Sequence, residues 1–530
     1  MSLFRRHLGK VSVLGLAMLA ASCAGDPSEG GTGGTGPGRG GSTGTGSGGS
    51  ATGGTTSTPT GGSATGGQVA SGGTTGSGTG GTASGGTAGR GTGGRSGTGG
   101  GAGTGAGGPA GAPGSGGSPV INPTACSTGA AQSSDVTVNL SGVQQKITGF
   151  GVSSAWAGNY SNASDPDYLW STTKGAGLTL LRIRYGDGLA IAQAAAKAGV
   201  TVWMTPWGTG PNGSTGGPDT TTQTANGCKS AVPVLTNPTD LASKLVSWVQ
   251  NAKTQGVPIY AVSAENEPDS CGINSTTSYS AAQLASWIDV LGPAMSAIGV
   301  KVMGPETQNA CGFTSYYAAI KNDSAAWNAV SIFASHEYGC GTLPSEPAIA
   351  MANKEYWETE VDTGTASSDR SGDGIASALL MASTIHNDLT KANLNAWHLW
   401  WLYNSSNNGG CLFDTTNKVW TKRLWVLGNY SRFVRPGYVR VSTTGTAPSG
   451  VLISAYKNPA DGTVVVVAIN SNTSDTPVSL YVSGSVPCTI TPWVTSAADS
   501  LASKSPITVS NARFSATLAG QSVTTFVGTP

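Results

Sequence analysis

An α/β fold, a (β/α)8 TIM barrel with a side β-sandwich behind a disordered Gly/Thr/Ser-rich tether, is predicted for this 530-residue chain by three observations. Strand-like runs alternate eight times with helical stretches. Two of those runs end on a glutamate, in AENEPD (Ala264 to Asp269) and EYWETE (Glu355 to Glu360). From about Tyr438 the pattern changes to short alternating runs such as VLISAY, TVVVVAIN and VSLYV with turns like ADG between them. Strands alternating with helices imply a parallel sheet, and closely spaced alternating strands an antiparallel sandwich.

Residues 1–23 read as an export signal: Arg5, Arg6 and Lys10 precede an apolar core too short to be a resident membrane helix. The segment ends Leu-Ala-Ala-Ser-Cys, which resembles the lipobox of bacterial lipoproteins except that Ala20 stands where Leu is usual. The expectation is a bacterial outer-surface lipoprotein anchored at Cys23, with free secretion as the alternative. Residues 24–118 are almost wholly Gly, Thr, Ser and Ala and hold most of the 82 glycines. Such a segment cannot bury enough apolar surface to offset its ordering entropy, and without a Gly-X-Y period it is a tether rather than collagen.

A net charge of +1 with 10% charged residues leaves no basic patch for nucleic acid and points to a neutral substrate. Beyond Cys23 there are seven cysteines, at 126, 228, 271, 311, 340, 411 and 488. In an exported chain they predict disulfides with one thiol left over. The five from 228 to 411 follow barrel strands and are expected to staple the loops there. None has metal-ligand spacing with the four histidines, so neither a metal nor a cofactor is expected.

In chain order the barrel strands are ITGFGVSSAW, LTLLRIRY, VTVWMTPW, PIYAVSAENE, VKVMGPET, SIFASHEY, KEYWETE and NAWHLWWLY. The helix LASKLVSWVQNAK puts Leu241, Leu245, Trp248 and Val249 on one stripe. Ser280 and Gln283 form a capping-box pattern ahead of Leu284, Trp287, Ile288 and Leu291. Glu267 and Glu360 each end a strand, and in a β/α barrel such ends converge on one face. Two carboxylates about 5–5.5 Å apart there can cleave a glycosidic bond with retention. A single glutamate is more simply a solvated loop carboxylate; the pair, in strand context, carries the reading.

ITGFGVSSAWAGN, GLTLLRIR, TPWG, AVSAENEPD, ASHEYG, WETE, LWW, SRFVRPGYVR and AGQSVTTFV together resemble glycoside hydrolase family 30, and most of all its bacterial glucuronoxylan endo-1,4-β-xylanases of subfamily 8. The likeness runs from about Ser134 to Gly528. It implies a strand in 134–147 (VTVNLSG) that joins the sandwich, a barrel over 148–436 and the rest of the sandwich over 437–530. It implies Glu267 as general acid/base, Glu360 as nucleophile, Asn266 at the sugar 2-hydroxyl and Arg182 beside Glu360. Trp156, Trp207, Trp400 and Trp401 are candidate sugar platforms, barrel filling being their plainer reading. His336 and Tyr338 match the family too, His336 equally well as a structural histidine and Tyr338 as a donor to the nucleophile.

The resemblance implies a monomeric enzyme acting on xylan or a related plant polysaccharide. The alternatives are an endo-β-1,6-galactanase or β-1,6-glucanase of the same family, and a non-catalytic carbohydrate-binding surface protein. Three departures stand out. Glu265 and Glu358, each two residues before a catalytic glutamate, share its face where the related xylanases carry uncharged residues, and Arg184 is expected to offset one of them. Asn404 and Ser405 stand where the glucuronoxylanases carry the arginines that grip a glucuronate branch, so a strict need for such branches is not expected.

Overall fold

The structure, a computed structural model, describes residues 126, 128–212, 219–271, 276–362, 374–404 and 410–530. Segment 1–23 with Cys23, the tether 24–118 and Ser405 lie outside the described residues. Each of the eight anticipated runs supplies one strand of a closed parallel barrel: Gly149–Ser153, Leu180–Arg184, Thr201–Thr205, Ile259–Ser263, Lys301–Thr307, Val330–His336, Glu355–Glu360 and Ala396–Leu399. Every strand pairs with its neighbour in sequence, and the eighth closes on the first through Ala396 opposite Gly149. These are the first to eighth barrel strands below.

The strands are buried along nearly their whole length, as parallel strands covered by helices must be. The helix Pro238–Thr254 starts where Asn237 caps it, its side chain accepting from the Asp240 amide at 3.2 Å, and buries Leu241, Leu245 and Val249. Trp248 is half-buried at the edge of that stripe. The helix Ala281–Ser296 carries the anticipated capping box, with Gln283 N donating to Ser280 Oγ at 3.2 Å and Ser280 N to Gln283 Oε1 at 2.8 Å.

Strands from Val439 to the C-terminus form one continuous sheet folded over a shared core of Val138, Val466, Leu480, Ile490, Phe514 and Phe526. Phe514 and Phe526, from strands far apart in the sheet order, meet with ring centroids 5.3 Å apart, which makes the sheet a sandwich. The strand Val136–Lys146, ahead of the barrel, joins it in parallel to Thr476–Ser483 and antiparallel to Val439–Thr444. Val464–Asn470 is buried on both faces. Val464, Val466 and Ala468 face the sandwich core while Val465, Val467 and Ile469 belong to the barrel core, hence its unbroken apolar run. Asn429 crosses the same seam, donating to Trp493 O at 3.1 Å and Thr525 Oγ1 at 3.0 Å.

Three disulfides form: Cys126–Cys488 ties the segment before the first strand to the sandwich, and Cys228–Cys271 and Cys311–Cys340 lie beside the barrel mouth. Cys411 is the thiol left over. Its expected role as a loop staple is not realised, because it is buried in the strand Cys411–Asp414 with no cysteine partner.

Leu245, with no exposed surface, should lower stability by about 2–5 kcal/mol when changed to Ala, the usual cost of emptying a packed leucine site. Leu380, 53% exposed, should change it by less than about 0.5 kcal/mol. Denaturant unfolding of both variants checks this; equal losses would place Leu245 outside the core.

Candidate active site

The C-terminal ends of five barrel strands bring together Arg182, Asn266, Glu267, Glu306, His336, Tyr338 and Glu360. Arg182 is wholly buried. Its Nε donates to Thr205 Oγ1 at 3.2 Å and its Nη2 to Asn266 Oδ1 at 2.6 Å, while the same Nη2 lies 2.7 Å from Glu306 Oε1 and Nη1 donates to Glu360 Oε2. Glu360 Oε1 accepts from the Tyr338 hydroxyl at 3.0 Å. Both oxygens of Glu360 therefore face donors, the arrangement of a carboxylate. Burial pushes its titration upward, and His336 and Arg182 pull it back.

Glu267 sits on a left-handed turn with φ of 45°, its amide donating to Glu306 O at 3.0 Å. Its Oε1 lies 3.2 Å from His336 Nδ1, and its Oε2 has no partner among the described residues. A carboxyl oxygen of Glu267, one of Glu360 and a ring nitrogen of His336 all lie within 4.8 Å of one another. A metal could in principle use such a trio, but Arg182 already occupies Glu360. Burial opposes charge on His336, yet Glu360, Glu267 and Glu306 raise it to about 10, so the ring is itself a cation.

Behind each strand-end glutamate lies the second one seen in the sequence. Glu265 Oε1 accepts from Gly208 N at 2.8 Å and Asn266 N at 3.2 Å. Glu358 accepts from Glu360 N at 2.6 Å and His398 N at 3.1 Å. Burial pushes both well above the usual carboxylate range against the pull of these amides, and Glu265, whose Oε2 has no partner among the described residues, is read as a neutral acid. Arg184 pairs with neither, contrary to expectation. Its guanidinium turns to the rim, donating to Asp187 at 2.8 Å and Asn212 O at 2.6 Å, with its central carbon 4.4 Å from the Trp156 ring centre. Backbone amides bond both glutamates in place of a guanidinium.

The four tryptophans gather at one side of the mouth. Trp156, with φ of 61° and 43% exposed, meets Trp207, Trp400 and Trp401 edge-on at 5.2, 6.0 and 6.2 Å. Trp400 and Trp401 are half-buried and stacked. Trp207, expected as a platform, is 1% exposed: Arg182 covers it at 4.3 Å and Trp156 abuts it, so it supports its neighbours instead of presenting a face. Asn404 is half-buried at the end of Trp401–Asn404, its carbonyl accepting from Thr415 N at 2.7 Å. Glu306 was missed by sequence reasoning, although it ends the fifth strand much as Glu267 ends the fourth.

The raised titration of Glu265 gives a pH prediction. An acid whose folded-state titration is raised holds its proton longer folded than unfolded, so its contribution to stability falls as pH rises above the ordinary range. Glu265→Gln keeps an oxygen for Gly208 and Asn266 and removes the titration. It should match wild type near pH 4 and exceed it at pH 8 in denaturant unfolding; equal stability at both pH values would rule out a buried neutral acid.

Comparison with known proteins gives the family. The description "Glycosyl hydrolase family 30 beta sandwich domain" matches residues 437–526. Glucuronoxylanase XynC of Bacillus subtilis (strain 168) is 31% identical over 421 residues, 76% of this chain and 93% of the relative. A family 30 subfamily 8 xylanase from Clostridium acetobutylicum superposes with a TM-score of 0.65 at 30% identity, over 75% of this chain and all of that one. A family 30 endoxylanase from Clostridium papyrosolvens C71 gives 0.63 at 29%, with the same coverage. The chain belongs to glycoside hydrolase family 30 and is an enzyme of that family.

Proposed function

We propose that this enzyme is an endo-acting β-1,4-xylanase that works by double displacement with retention and does not strictly need glucuronate branches. The observation that carries the reading is the opposed pair of Glu267 and Glu360, with carboxyl oxygens within 4.8 Å at the barrel mouth. That spacing suits a retaining pair and is too short for the about 6.5–9.5 Å of inverting enzymes, which must fit a water between them. The names of the similar xylanases support the choice of polymer. We further assign residues 1–23 to export and 24–118 to the tether, and place the monomeric enzyme on plant cell-wall xylan outside the cell, anchored at Cys23 or secreted.

In the first step Glu360 attacks the anomeric carbon while Glu267 gives its proton to the leaving oxygen. In the second, Glu267 takes a proton from water, which displaces Glu360. Arg182 and Tyr338 fix the attacking carboxylate. The same Arg182 fixes the Asn266 amide by its oxygen, leaving the amide N–H groups for the sugar 2-hydroxyl. Trp156 offers the exposed ring on which a pyranose face packs, and Trp400 and Trp401 extend it.

Proton NMR of the first product should show retained configuration; early inverted product would end this mechanism. Glu360→Ala should abolish turnover. Glu267→Ala should keep slow cleavage of substrates with good leaving groups, accelerated by azide.

A neutral Asn404 cannot supply a bidentate charge-assisted contact to a branch carboxylate. Losing one such pair is worth about 2 kcal/mol, or roughly thirtyfold in kcat/KM. Matched xylo-oligosaccharides with and without one methylglucuronosyl branch should therefore be cut at comparable kcat/KM. A preference above about a hundredfold for the branched one would overturn the branch-independent reading, and cleavage of β-1,6-linked polymers in place of xylan would overturn the choice of substrate.

A further inference from the structure

The turn that carries Glu267 holds another carboxylate, which the double displacement does not use. Asp269 lies in the turn closed by Ser270 N, which donates to Glu267 O at 2.9 Å. Its side chain crosses to the end of the fifth barrel strand, where its Oδ1 accepts from Gln308 N at 2.8 Å. Gln308 O accepts in turn from Tyr338 N at 3.2 Å, and the Tyr338 hydroxyl donates to Glu360 Oε1 at 3.0 Å. One residue, Gln308, thus joins the turn of the acid/base to the donor that holds the nucleophile.

We propose that Asp269 is a positioning residue for the nucleophile: by fixing Gln308 it sets the backbone of Tyr338, and with it the hydroxyl that holds Glu360. The proposal rests on the roles assigned above to Tyr338 and Glu360. A hydroxyl that must meet one carboxylate oxygen tolerates little movement of its ring, so the backbone beneath it has to be fixed. Two segments share that task. Gln308 and Tyr338 are bonded to each other, and the Cys311–Cys340 disulfide joins the same two segments three and two residues further on. Asp269 ties this joined pair to the turn of Glu267, so the acid/base and the nucleophile's donor share one frame.

A second observation comes from the other side of the carboxylate. Gly312 stands in the first turn of the helix Ala310–Asn322, without the left-handed backbone that calls for glycine. A Cβ there would meet Asp269 Oδ2 at 2.1 Å and Asp269 Cγ at 3.1 Å, with Thr307 Cβ next at an ordinary 3.4 Å. Glycine weakens a helix relative to alanine. Here it leaves room for one side chain, and that side chain is Asp269.

Two plainer readings compete. An acid beside a helix start also meets the positive end of the helix dipole, which predicts a loss of stability with unchanged kinetics well below the unfolding temperature. Asp269 also interacts by charge with Glu267 and His336, which predicts that removing the charge alone slows the enzyme. Positioning through Gln308 predicts instead that an oxygen at Oδ1 suffices, and that the effect of losing it passes through the Tyr338 hydroxyl.

The test uses the full-length enzyme and aryl xylo-oligosaccharides whose leaving groups need no acid, so that kcat/KM reports on Glu360 rather than on Glu267. Asp269→Ala should lower kcat/KM about tenfold or more, the scale of a small misplacement in an active site. Asp269→Asn, which keeps an oxygen for Gln308 and removes the charge, should stay within about threefold of wild type. In a Tyr338→Phe background Asp269→Ala should cost less than about twofold, because the hydroxyl it positions is gone. Gly312→Ala should act like Asp269→Ala, and should add nothing once residue 269 is already Ala. Ring 13C NMR of tyrosine, with Tyr338 assigned from the signal lost in Tyr338→Phe, should show its ζ carbon moved in Asp269→Ala and Gly312→Ala but not in Asp269→Asn. Additive losses from Asp269→Ala and Tyr338→Phe, an Asp269→Asn as slow as Asp269→Ala, or an unmoved Tyr338 signal in Asp269→Ala would each overturn the proposal. Asp269→Asn and Gly312→Ala carry the same test if Asp269→Ala fails to fold. The NMR readout needs no substrate: a moved signal in an enzyme that does not cleave xylan would sink the functional reading alone, and xylan cleavage with an unmoved signal would sink this inference alone.

Discussion

A guanidinium with no access to water must find all its partners in protein, and Arg182 is such a group. Its planar fork reaches Thr205 on the third strand, Asn266 beyond the fourth, Glu306 on the fifth and Glu360 on the seventh. One side chain thus ties five of the eight strand ends together at the mouth. A lysine, with one compact charge in place of five donors in a plane, could not hold these partners at fixed mutual angles. The separation of Glu360 from Glu267 and the orientation of Asn266 follow from that fork.

Around it, the backbone departs from ordinary strand geometry where the proposed chemistry sits. Trp156, Glu267 and Glu306 all take positive φ, each at a cost of about 1–3 kcal/mol that surrounding contacts must offset. The Glu267 amide bonds to Glu306 O, and Glu358 holds the amide of Glu360. Two disulfides brace the same region: Cys271 lies four residues beyond Glu267, and Cys340 two beyond Tyr338.

The eight strands were legible because each is a β-prone run that stops at a loop signal, and Glu267 and Glu360 because each ends such a run. Alternation also placed Glu265, Glu358 and Arg184 on inward faces correctly, but facing inward does not settle ionisation. The sequence suggested charges in need of partners, whereas burial raises the titration of both glutamates against the pull of the backbone amides that bond them, and Arg184 turns to Asp187 and Trp156. Glu306 escaped notice because VKVMGPET reads as an ordinary strand, and what distinguishes this carboxylate is the convergence of Arg182 and His336 upon it from other strands. Exposure was hidden in the same way. Trp156 and Trp207 look alike in sequence, but the first is 43% exposed and the second 1%.

The side sandwich bears on the site through the chain's path. The strand Val136–Lys146 passes into the first barrel strand across two residues, and the sandwich resumes at Val439 after the barrel's last helix. Entry and exit are stitched where they meet, Ile147 N donating to Tyr438 O at 2.7 Å and Gly437 N to Ile147 O at 2.9 Å. The first strand, which carries Trp156 just past its end, is therefore held at its base by the sandwich and at its side by the eighth strand, just past whose end lie Trp400 and Trp401. Separating the two parts would leave Val465, Val467 and Ile469 of the sandwich without their partners in the barrel core and free the base of the first barrel strand. The two parts share one core, and the proposed sugar platform beside the proposed catalytic pair rests on strands that both of them hold.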